Sequence, residues 1–182
     1  MLQNKIKIIA ISGSLRANSS NEKILQVIAT MISEKVDFFT YKGIAALPHF
    51  DDADPVPIPV AVFRKHLQEA DAVLICTPEY AFGVPGSLKN ALDWTVGSGE
   101  LVDKPLALIT ASTGGEKAHA QFLQIFAALS AKIPNGGDLL ISYVRSKLDA
   151  AGGISDAPTL KAVQSVLDKL ILAVEEKTTG KA

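Results

Sequence analysis

Five short, largely apolar runs, each followed in turn by a segment of helical period, constrain this chain more than any other feature. Residues 5–11, 36–41, 71–77, 105–111 and 138–144 are rich in Ile, Val, Leu and Phe and read as strands. Apolar residues at helical spacing (Ile24, Leu25, Ile28, Ile32 in the first case) predict helices over 20–34, 60–70, 85–95 and 116–131. A final helix opens at Asp156-Ala157-Pro158, an Asp cap with Pro just inside, and leaves 178–182 as a frayed tail. Residues 42–59 carry prolines 48, 55, 57 and 59 and read as a surface loop. Strands that alternate with helices must lie parallel, with right-handed crossovers on both faces. The expectation is an α/β domain with a five-stranded parallel sheet in the order 2-1-3-4-5. In such sheets ligands bind beyond the carboxyl ends of the strands where the winding reverses, here between strands 1 and 3.

Composition narrows the class further. The 182 residues are 48% apolar with a net charge of −1, which fits one folded domain over 1–182 and excludes a disordered chain. No Lys/Arg cluster marks a nucleic-acid surface. No apolar run reaches the ~20 residues that span a bilayer, and 6–11 is too short for a signal-peptide core. One cysteine, Cys76, permits no intrachain disulfide, and three histidines are too few for a zinc cage. The expected location is the cytoplasm.

Three loops therefore carry the candidate site. Ser12-Gly13-Ser14-Leu15-Arg16-Ala17-Asn18-Ser19-Ser20-Asn21 joins the first strand to the first helix, with hydroxyls at 12, 14, 19 and 20. The helix that follows presents free N–H groups and its positive end, and Arg16 can clamp a phosphate. An ordinary helix cap with a solvated Arg is the bland alternative. Lacking Gly-Lys-Ser/Thr, the loop is not a nucleotide P-loop; with one glycine it is not a dinucleotide fingerprint; without acids it is not a magnesium-binding receiver site. It suits a single phosphomonoester. After the third strand, Pro78-Glu79-Tyr80-Ala81-Phe82-Gly83-Val84-Pro85-Gly86 forms a stiff loop. Tyr80 and Phe82 can wall a flat ring or pack on their own sheet or a partner subunit. Glu79 has no partner acid or base in view and reads as an orienting or surface residue. Ser112-Thr113-Gly114-Gly115 can border the same cavity, with the next helix adding N-terminal donors, or can be a plain turn. Cys76, inside an apolar strand, should be inert. His49, His66 and His119 read as satisfied surface histidines, and Trp94 as a residue that covers the core or mediates a dimer.

With those residues in place, the chain resembles the NAD(P)H-dependent FMN reductases and their quinone-, azo- and chromate-reducing relatives. Gly13-Ser14-Leu15-Arg16 with Ser19 and Asn21 is similar to the family's phosphate loop. Thr77-Pro78-Glu79-Tyr80 and then Pro85-Gly86-Ser87-Leu88-Lys89-Asn90-Ala91-Leu92-Asp93-Trp94 form a more specific match, and Ser112-Thr113-Gly114-Gly115 a looser one. The resemblance implies a flavodoxin-like fold with non-covalent FMN, NADPH or NADH as electron donor, and a homodimer or homotetramer. By that likeness Ser14, Arg16, Ser19, Ser20 and Asn21 hold the phosphate. Pro78, Glu79, Tyr80, Ala81, Phe82 and Gly83 line the ring, and Ser112, Thr113, Gly114 and Gly115 border its other edge. Ala81, Gly83, Thr113, Lys117 and His119 depart from the family's usual residues. The resemblance also implies ping-pong hydride transfer to a small acceptor such as a flavin or quinone, with no catalytic side chain, because the flavin carries the chemistry. A nicotinamide-independent FMN electron carrier and a flavin-free regulatory domain are the alternatives.

Overall fold

The computed structural model describes residues 5–180. In chain order the elements are β1 (Ile6–Ser12), α1 (Ser20–Met31), β2 (Val36–Tyr41), α2 (Ile58–Glu69), β3 (Ala72–Thr77), α3 (Gly86–Asp93), β4 (Leu106–Ala111), α4 (Glu116–Ala128), β5 (Asp138–Ile141) and α5 (Ala157–Thr179). The five strands form one parallel sheet in the order β2-β1-β3-β4-β5, as the alternation predicts. β3 and β4 are buried at every residue, which is why they read as unbroken apolar runs rather than alternating ones.

Each face of the sheet buries its own core. Ile9, Ile11, Val73, Ile75, Leu106 and Leu108 point to the side covered by α2, α3 and α4, with Phe63, Leu88, Phe122 and Phe126 packed on them. Ile8, Ala10, Leu74, Cys76, Ala107 and Ile109 face α1 and α5, against Ile24, Ile28, Val166 and Leu170. Burying one such large side chain is worth about 1.5–3 kcal/mol, so both layers hold the sheet firmly. The register pairs Ser12 with Cys76, so β1 and β3 end side by side while their chains leave toward opposite faces. That divergence is the crevice.

Local physics moves several boundaries. α2 begins at Ile58, ahead of the predicted 60, because Pro57 caps it and Pro59 fits the first turn. The loop before it contains a 3₁₀ turn at Gly43–Ala46 that buries Ile44. α1 stops at Met31 and α4 at Ala128, three residues short of expectation in each case. Ile32 is extended, and Ser130 adopts a left-handed φ of 57°. β5 stops at Ile141, since Tyr143 is left-handed and 144–147 coil into a 3₁₀ turn. α5 starts on its Asp156 cap but runs to Thr179, so Thr178 and Thr179 are helical rather than frayed. The predicted tail's last two residues, and the residues before Lys5, lie outside the described ones. Trp94 is buried in the core: its indole N–H donates to the Pro48 carbonyl at 2.9 Å and its ring meets Phe50 edge-on. Asn90 fixes the same loop, donating to the Pro48 carbonyl and accepting the Phe50 N–H.

Candidate functional site

At the carboxyl ends of β1 and β3 lies a cleft of about 380 Å³. Its walls come from the β1–α1 loop, the first turn of α1, the start of the β3–α3 loop, the end of β4 and the segment after β5. Gly13 brings the first two walls together. Its N–H donates to the Cys76 carbonyl at 2.8 Å, and a Cβ there would stand 2.1 Å from Thr77 Oγ1. Only glycine fits.

The anion-facing half is built by α1. Ser19 caps the helix, its hydroxyl accepting the Glu22 N–H at 3.1 Å, while the Glu22 carboxylate accepts the Asn18 N–H at 3.1 Å. The first-turn amides of Ser20 and Asn21 have no acceptor among the described residues and carry the helix's positive end. The Ser20 hydroxyl is likewise uncommitted, and Arg16 is exposed at the rim. Asn21 itself is buried and turned inward: its amide donates to the Ala111 carbonyl at 3.3 Å and its carbonyl accepts the Cys76 thiol at 3.4 Å. What it offers the cleft is backbone. Burial pushes the Cys76 thiol up, in keeping with the expectation of inertness.

Tyr80 joins the two halves. Its hydroxyl lies 3.1 Å from Ser14 Oγ, which also accepts the Arg16 N–H at 3.3 Å. Pro78 and Glu79 continue that wall. The Glu79 carboxylate accepts the N–H of Ala118 in the first turn of α4 at 2.9 Å. Of the two expectations for Glu79, an orienting or a surface residue, this contact favours the first, and it takes an α4 amide that the sequence leaves open for a ligand. Ser112 and Thr113 line the opposite edge, whereas Gly114 and Gly115 turn away from the cleft. Gly115, at φ 118°, starts α4, where a Cβ would meet Leu140 Cδ1 at 2.7 Å. His119 bridges Thr110 and Asp138 at 2.9 and 3.1 Å and is not part of the cleft lining.

Ala81, Phe82 and Gly83 stand outside the cleft lining. Tyr80 and Gly83 exchange backbone hydrogen bonds of 3.0 and 2.9 Å across a tight turn in which Ala81 and Phe82 both have positive φ. This geometry ordinarily calls for Asn-Gly. It throws the Phe82 ring outward, 78% exposed beside the mouth. Two lining cations, Lys23 and Arg145, escaped sequence reasoning. Lys23 had a usable signal, one turn beyond the cap; Arg145 had none.

Comparison with known proteins agrees with this picture. Residues 6–145 match the family model described as NADPH-dependent FMN reductase. The chain is 32% identical over 182 residues to a 2-hydroxy-1,4-benzoquinone reductase from Burkholderia sp, covering 94% of this chain and 98% of that one. It is 32% identical over 181 residues to an NAD(P)H-dependent FMN reductase from Pseudomonas aeruginosa, covering 95% and 97%. Among solved structures, the flavoenzyme NAD(P)H:(acceptor) oxidoreductase FerB from Paracoccus denitrificans superposes with a TM-score of 0.73 at 26% identity, over 94% of this chain and 98% of that one.

Proposed function

The chain belongs to the NADPH-dependent FMN reductase family, and from that premise we propose that it uses bound FMN to pass electrons from NADPH or NADH to a quinone, a flavin or a similar small acceptor. The observation that carries this reading is one cleft with two unlike halves: uncommitted helix-start amides and hydroxyls beside Arg16, and a stiff aromatic wall at Pro78, Glu79 and Tyr80. The first half suits a phosphate monoester of charge about −1.5 to −2. The second suits a planar ring.

In this arrangement the amides of Ser20 and Asn21, the hydroxyls of Ser14, Ser19 and Ser20 and the Arg16 guanidinium hold the phosphate. Either hydroxyl can donate across the Ser14–Tyr80 contact, and a phosphate that takes the Ser14 proton selects the arrangement in which Tyr80 donates. Pro78, Glu79 and Tyr80 place the ring, and Ser112 and Thr113 bound its other edge. The outward turn of Ala81, Phe82 and Gly83 shapes the mouth through which donor and acceptor reach it. FMN supplies the redox chemistry when bound, in a ping-pong cycle of donor and acceptor, and the protein supplies position and electrostatics.

We read the described residues as one domain, a reading supported by the single sheet that both cores share. Exposed Ile58 and Val96 support assembly as a homodimer or homotetramer. The lone buried cysteine supports a cytoplasmic setting, and no described helix is long and apolar enough to cross a membrane. The visible spectrum of the purified protein, recorded before and after NADPH or NADH, tests the function. A flavin band that bleaches with the donor and returns with a quinone is expected. A colourless protein that takes up no FMN contradicts the reading, and a yellow one that the donor leaves oxidised points to an electron carrier.

A further inference from the structure

We propose that Lys23 and Arg145 form a second, cationic half of the phosphate site, so that a dianionic phosphate monoester is gripped from the segment after β5 as well as from α1. The inference rests on the FMN reading of the cleft and adds to it two residues from elements that no loop motif marks.

Lys23 is the fourth helical residue of α1, after the Ser19 cap. Side chains on a helix lean toward its N-terminus, so the ammonium is carried back to where the free amides point. Its stem is held in place. Gly152, at φ 95°, packs so closely that a Cβ there would stand 3.1 Å from Lys23 Cδ and 3.3 Å from its Cγ. The chain after β5 therefore shapes Lys23 directly.

Arg145 comes from that same stretch. The Tyr143 N–H donates to the Thr113 carbonyl and the Val144 N–H to the Ser112 carbonyl, each at 3.0 Å. These two bonds fix the backbone just before Arg145 to the cleft edge, and the left-handed Tyr143 turns the chain so that Arg145 joins the lining. Neither Lys23 nor Arg145 has an ion pair or hydrogen-bond partner among the described residues, whereas the nearby Lys147 is spent on Asp156 at 3.1 Å. The acid of the lining, Glu79, gives its carboxylate to the Ala118 N–H and sets one negative charge against these cations. Together with Arg16, three uncommitted cations face one cavity. That charge suits a terminal dianion better than a neutral or singly charged group.

The test is to titrate FMN and riboflavin, which differ only in the phosphate, into the wild-type chain and into Lys23→Gln and Arg145→Gln at low and high salt. Both side chains reach solvent, and circular dichroism confirms that each variant is folded. We expect each substitution to weaken FMN about tenfold, to leave riboflavin unchanged and to flatten the salt dependence. Unchanged FMN affinity in both variants, in a wild-type protein that prefers FMN to riboflavin, overturns this inference and leaves the FMN reading standing. Equal weakening of both flavins also overturns it. A wild-type chain that shows no preference for FMN over riboflavin overturns the phosphate reading together with the inference.

Discussion

The Tyr80 hydroxyl lies 3.1 Å from Ser14 Oγ, a contact between residues 66 apart that ties the anion-binding loop to the ring-facing loop. Because Ser14 also accepts the Arg16 N–H, this single oxygen sets the spacing between the two halves of the cleft. Tyr80→Phe removes the link and keeps the ring. FMN affinity should fall about threefold to tenfold, the worth of one hydrogen bond, as read by flavin fluorescence on titration. Unchanged affinity would show that the contact does not preorganise the site.

Glu79 ties the ring-facing loop to α4 by accepting the Ala118 N–H at 2.9 Å. Glu79→Ala leaves a first-turn donor without its acceptor and removes a negative charge from the helix's positive end. A loss of about 1–2 kcal/mol in urea unfolding is expected, with Glu79→Gln recovering part of it.

The turn at Ala81 and Phe82 places two side-chain-bearing residues in left-handed backbone, at φ 49° and 60°. Each costs roughly 1–2 kcal/mol relative to glycine. Phe82 is 78% exposed, so its removal forfeits little packing. Phe82→Gly should therefore raise the urea midpoint, an unusual direction for deletion of an aromatic ring. A lower midpoint would mean that the ring is covered in the assembled protein.

Asp156 caps α5, accepting the Thr159 N–H at 3.0 Å and the Thr159 hydroxyl at 2.6 Å, with Lys147 beside it. The Thr159 hydroxyl bond, then Lys147 and the Thr159 amide, hold its carboxyl below the usual range. A depressed carboxyl stabilises the fold above its ordinary value of about 3.9, and that contribution is lost as pH falls through the folded value. The gap between wild-type and Asp156→Ala urea midpoints should be widest near neutral pH and should close in acid. A gap independent of pH would contradict this assignment.

The sheet was legible because its evidence is local and redundant. β3 and β4 are buried at every position and so look like strands without any tertiary knowledge. The phosphate loop was legible for the same reason, its hydroxyls, glycine and helix start being contiguous. What the sequence could not convey is where a side chain spends its hydrogen bonds. Asn21 reads as a ligand beside Ser19 and Ser20, yet its amide joins Ala111 and Cys76 in the interior. The α4 start looks open until Glu79, 39 residues earlier, is seen on Ala118. Arg145 enters the lining only because Tyr143 turns left-handed after a strand shorter than its apolar run suggests. Each of these depends on pairings distant in the chain, which periodicity cannot carry.

The most direct measurement is a crystal structure of the chain soaked with FMN. The phosphate is expected against the Ser20 and Asn21 amides with Arg16 beside it, and the ring along Pro78, Glu79 and Tyr80. A cleft that stays empty or is filled by protein side chains, or a flavin bound elsewhere on the molecule, would contradict it.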